Sequence, residues 1–187
     1  MKRLARRGLL VAGVVLCVAV YLNASGAWAQ LRVDITTGTV EPLSIAIPAF
    51  FGEKPDEAEH GRNIAGVIAA DLERSGLFRP LDARAFIQTA ESLKVQPRFA
   101  DWRLINAQAL VSGSTEAQQD GRLRVEFRLW DVFAQTQMSG FAYFTQPNNW
   151  RRVAHIVADA IFKRITGEDG YFDTRVVYIA ESGPADR

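Results

Sequence analysis

Thiol and imidazole chemistry are nearly missing from this chain. It has one cysteine, Cys17, and two histidines, His60 and His155, in 187 residues. Cys17 sits in an N-terminal apolar run and lacks the small preceding residues of a lipoprotein cleavage site, so no lipid is expected there. Once that run is removed, no disulfide, Cys-ligated zinc or Cys nucleophile is available. Two separated histidines also make a three-ligand catalytic metal hard to build. G-x-S-x-G, H-E-x-x-H and P-loop motifs are absent. No metal and no cofactor is therefore expected. The chain lacks a strong charge of either sign, with a net value of +1.

That balance hides an asymmetry. Lys2, Arg3, Arg6 and Arg7 precede an uncharged apolar run from Gly8 to Leu22, and Ala27-Trp28-Ala29 follows. A basic start, an apolar stretch of about 15 residues and an Ala-x-Ala site make a secretory signal peptide over 1–29. The run is short for a membrane span, which needs about 20 residues. Export by the general route is expected; Arg6-Arg7 also admits twin-arginine export. Cleavage removes four of the 22 positive residues and none of the 21 acidic ones, leaving a net charge of −3. A mildly acidic exported chain argues against nucleic acid as a partner. No membrane insertion is expected after cleavage.

What is present is alternation and helical striping. Leu31, Val33 and Ile35 alternate with polar residues, and Leu43 to Ile47 form a compact apolar run that Pro48 ends. Gly52 to Glu59 reads as a charged loop. Ile64, Val67, Ile68 and Leu72 share one face of a helix over 59–74, with Gly76 after it. Residues 83–93 suggest a short helix, and Trp102, Leu104 and Ile105 another. Ala109 to Gly113 is a buried strand. Asp120-Gly121 is a hairpin signal. Leu123, Val125, Phe127 and Leu129 then alternate with Arg122, Arg124, Glu126 and Arg128. A second turn near Ala134-Gln135 returns the chain through Met138 to Phe144. Asn148 or Asn149 caps a helix to about Ile165, striped by Val153, Ile156, Val157, Ala160 and Ile161. The order predicts an α/β fold: a mixed β-sheet of about five strands packed with two main helices, in the layered manner of anticodon-binding domains.

Few residues invite a chemical role. His155 could be a catalytic base oriented by Asp159 four residues on; the plainer reading is a structural histidine, bonded at that spacing or turned toward a neighbouring domain. Asp56, Glu57 and Glu59 beside His60 could hold Ca²⁺ but lack the spacing of a dedicated loop, so a solvated acidic loop is expected. Arg122, Arg124 and Arg128 could face single-stranded nucleic acid, but Glu126 interrupts them and a solvated sheet face is expected. Trp102, Trp130 and Trp150 read as core or interface anchors.

Four stretches carry a resemblance. "IAADLERSGLFRPLD" (Ile68–Asp82), "WRLINAQALVSGS" (Trp102–Ser114), "VEFRLWDV" (Val125–Val132) and "AHIVADAIFKRITGEDGYFDTRVVYIA" (Ala154–Ala180) together resemble the N-terminal part of the TolB family of the Tol-Pal cell-envelope system. The resemblance implies a periplasmic scaffold, not an enzyme. It implies an extended arm over 30–42, an α/β domain over 43–168, and a linker with the severed first strand of an absent six-bladed β-propeller over 169–187. Residues beyond about Gly170 are then expected to pack weakly. Within the arm, Gln30, Leu31, Arg32, Val33, Asp34, Ile35 and Thr36 would contact the periplasmic domain of TolA. Pal, the peptidoglycan-associated lipoprotein, would bind mainly through the propeller. His155, Asp159, Phe172, Thr174 and Arg175 would face that second domain. The alternative is a periplasmic ligand-binding or hydrolytic domain with a site near His155.

Overall fold

The computed structural model describes residues 41–174. Strands β1 (Leu43–Ala46), β2 (Phe78–Pro80), β3 (Ala109–Ala117), β4 (Leu123–Asp131) and β5 (Thr136–Thr145) form one sheet in the order β2-β1-β3-β4-β5. β1 is parallel to both neighbours, and β3-β4-β5 is an antiparallel meander. Helices α1 (Pro55–Arg74) and α3 (Trp150–Thr166) lie together on one face, and the short α2 (Phe99–Leu104) helps to cover the other. The expected mixed five-stranded α/β sheet with two main helices is what forms.

Each element follows from its side chains. β4 alternates as its sequence requires: Leu123, Val125, Phe127 and Leu129 are buried against the helix pair. Trp130, Leu110 and Ala46 point the other way, into a smaller core with Phe99, Trp102 and Leu93. Both buried indole N–H groups are satisfied: Trp102 donates to Gln88 Oε1 at 2.8 Å and Trp130 to Ser112 Oγ at 2.9 Å. Gly76, Gly121 and Gly167 take φ of 74°, 79° and 86°, the left-handed values that end a helix or close a hairpin.

Several details differ from the sequence reading. Phe78–Pro80 is an edge strand that the sequence reading left unassigned, because three residues carry no readable period. Residues 83–93 hold two 3-10 turns, at Ala83–Ala85 and Glu91–Lys94, and not one helix. The stripe of α3 is rotated: Ala154, Ala158, Phe162 and Ile165 are buried, while Ile156 and Ala160 are only half-buried. The face bearing Arg124, Glu126 and Arg128 is half-buried, and Glu126 bridges both arginines at 2.6 and 2.7 Å. Burial works against the charged form of Glu126, but the two guanidiniums hold its carboxyl below the usual range.

The acidic loop is the largest correction. α1 begins at Pro55, and Glu57 is 3% exposed rather than solvated. Its carboxylate accepts from the backbone N–H of Glu53 and Lys54, both at 3.1 Å, and of Ala117 at 3.0 Å. One side chain thus caps α1 and ties it to the end of β3. Burial opposes ionisation, yet these backbone donors and Lys54 keep the Glu57 carboxyl below its ordinary value. A lowered folded value means that the stabilisation is present above the unfolded pKa of about 4.3 and is lost as pH falls through the folded one. Glu57→Gln is expected to cost about 1–3 kcal/mol near neutral pH. Urea denaturation at about pH 7 and about pH 3 checks the sign. The gap between parent and variant should shrink at the lower pH, and a constant gap contradicts the assignment.

Candidate functional site

His155 and Asp159 are half-buried on α3, and the fold gives each a different partner. His155 Nδ1 is 2.5 Å from Asp71 Oδ2 on α1, 84 residues away in the chain. The expected pairing of His155 with Asp159 does not form. Nδ1 faces the carboxylate, and Nε2 on the opposite side of the ring is turned away from it. Asp71 is 1% exposed and also accepts from Arg74 Nη2 at 3.1 Å. A buried carboxylate costs several kcal/mol unless paired, and here it has two partners.

Those two partners open onto a groove of about 320 Å³ between α1 and α3. Arg62, Asn63, Trp150 and Arg151 also line it, with the small exposed residues Gly66 and Ala70. The Arg151 guanidinium lies 4.7 Å from the centre of the Trp150 ring, and His60 sits 6.4 Å behind that ring. Chemically the groove presents guanidinium groups, an amide and one oriented imidazole. No Ser, Thr or Cys lines it, so the Asp71–His155 pair has no hydroxyl or thiol nucleophile beside it. Among the described residues no group of three or more His, Cys, Asp or Glu could hold a metal ion.

Asp159 serves the chain that leaves α3. Its carboxylate accepts from the backbone N–H of Phe172 at 2.8 Å and of Asp173 at 3.1 Å. Gly170 packs so closely there that a Cβ would stand 2.1 Å from Asp159 Oδ1. Tyr171 and Phe172 each meet the Phe162 ring edge-on at 5.7 Å, and Arg152 pairs with Asp173 at 3.3 Å. The weak packing expected beyond Gly170 is therefore not observed through Asp173. Thr174 is exposed. Arg175 and the arm from Gln30 to Thr36 lie outside the described residues.

Sequence reasoning passed over Asp71, Arg62, Arg74 and Arg151. Asp71 had a signal: it falls inside the apolar stripe of α1, between Ile68 and Leu72, where a charge must find a buried partner. The arginines had none, because their convergence depends on how the two helices cross.

The fold and groove define the class: a layered α/β domain with a donor-rich groove between its two main helices. Residues 31–138 match the family model described as the TolB amino-terminal domain, and the chain belongs to that family. A curated relative from Paramagnetospirillum magneticum, "Tol-Pal system protein TolB", is 58% identical over 171 residues. That match takes in 91% of this chain and 38% of the relative, so the chain spans well under half of its length. The crystal structure of TolB from Acinetobacter baumannii shares the fold, with a TM-score of 0.59 and 25% identity over 77% of this chain and 33% of that one. Among the described residues no helix is long and apolar enough to cross a membrane.

Asp159→Ala should release the exit segment. Loss of hydrogen bonds to a charged acceptor is expected to speed amide exchange at Phe172 and Asp173 by about 10-fold or more. The amides of β4 should be unaffected. Equal protection of Phe172 and Asp173 in parent and variant would rule out the pinning role.

Proposed function

We propose that this chain is an adaptor of the Tol-Pal system, exported to the periplasm and acting through protein contacts. The observation that carries this reading is the 58% identity to a Tol-Pal system protein across 91% of the chain. The groove's lack of a hydroxyl or thiol nucleophile favours binding over hydrolysis. In this reading the mature arm, Gln30 to Thr36, adds edge-on to the periplasmic domain of TolA. Its backbone supplies the hydrogen bonds, and Leu31, Val33 and Ile35 set the register. Pal is engaged mainly through a propeller domain. In this reading His155 and Asp159 of α3, with Phe172, Thr174 and Arg175 after it, face that domain. Together these contacts support outer-membrane integrity and its constriction at division.

Two measurements test the reading. Deleting Gln30–Thr36 is expected to abolish binding to the TolA periplasmic domain and to leave the thermal transition of the body nearly unchanged. Equal affinity of the truncated chain would remove the arm as the contact. Residues 1–187 by themselves are expected to bind Pal weakly or not at all by calorimetry. Tight binding would move the Pal interface onto this domain.

A further inference from the structure

We infer that the α1–α3 groove is a binding site for a tetrahedral oxyanion of the phosphate class, free or as the phosphate of an ester. The argument starts from ion pairing. Arginines on the described surface are mostly matched: Arg79 with Glu41, Arg84 with Asp82, Arg98 with Asp101, Arg122 with Asp120 and Arg152 with Asp173. Arg124 and Arg128 share Glu126, and Arg164 donates to the Met138 carbonyl. Among the described residues only Arg62, Arg103 and Arg151 have neither an ion pair nor a hydrogen-bonded acceptor. Two of those three, Arg62 and Arg151, line this one groove from different helices.

The groove is also built from beneath. Asp71 is buried, and both side chains it holds, Arg74 and His155, line the groove. A buried acid whose partners all face a cleft fixes donors there at little further entropic cost on binding. Trp150 holds the Arg151 guanidinium against its ring. α3 starts at Trp150, directly after the 3-10 turn Pro147–Asn149, so the positive end of a 17-residue helix lies at the Trp150–Arg151 side of the groove.

The placement of the unpaired guanidiniums on two helices selects the ligand. One guanidinium fork satisfies a planar carboxylate. Here the two unpaired guanidiniums, Arg62 on α1 and Arg151 on α3, line the groove from two helices, which suits an anion with oxygens on more than one side. The mature chain's acidic balance does not oppose this, because the groove itself holds three arginines against the single carboxylate of Asp71.

The test is a titration of the full chain at constant ionic strength, followed by NMR of backbone amides and arginine Nε groups. The probes are inorganic phosphate, a soluble glycerophosphodiester and a hexaglutamate peptide, with chloride as the control. The proposal expects saturable shifts at Arg62, Gly66 and Arg151. It also expects affinity at least about 10-fold lower in Arg62→Ala/Arg151→Ala, two exposed positions whose change should leave the thermal midpoint in place. Phosphate binding with no diester binding identifies the free ion as the ligand. Diester binding with or without phosphate identifies an ester. Shifts that chloride reproduces, an affinity unchanged in the double variant, or saturation by hexaglutamate alone would each overturn it.

Discussion

Strand β1 is four residues long, and all four of its side chains are buried. It hydrogen-bonds a parallel neighbour on each edge. Parallel strands cannot be joined by tight turns, so the chain must cross over between them and cover the sheet as it does. α1 is the crossover from β1 to β2, and α2 with its flanking 3-10 turns lies between β2 and β3. The two-sided burial of Leu43 and Ile45 on one face, and of Ala46 on the other, therefore accounts for both cores. Only the meander from β3 to β5 is free of this demand, and there one face stays partly open to solvent.

Two buried acids on α1 complete the plan. Glu57 at its first turn joins the helix to β3 through backbone donors. Asp71 at its last turn joins it to α3 through His155. In each case a carboxylate removed from water recovers its solvation from near neighbours and from one partner distant in sequence. Such bonds are directional, so they set where α1 lies along the sheet and against α3 in a way apolar packing alone does not.

The fold was largely readable because its long elements carry strong periods. β4 shows seven alternating positions, and α1 and α3 show apolar stripes. What escaped was short or non-local. Phe78–Pro80 is too brief for a period, and its strand character comes from lying beside β1. Glu57 resembled its solvated neighbours Asp56 and Glu59, since only the approach of Ala117 makes it a cap. The candidate site was half legible. His155 and Asp159 stood out on the last helix, but a four-residue spacing suggested a local pair. Tertiary contact offered each a better partner: a buried carboxylate for His155 and two free amides for Asp159.

The route of the chain after α3 has a mechanical consequence. Gly167 ends the helix, and residues 170–173 then run back alongside it, from Asp159 toward Arg152. Tension applied to the chain past Thr174 and directed along the helix axis loads the Phe172 and Asp173 amide bonds and the Arg152–Asp173 pair together, in shear. Tension directed away from the helix opens them in sequence, from Asp173 inward, like a zip. The exit segment thus detaches at low force in one direction and resists in the other.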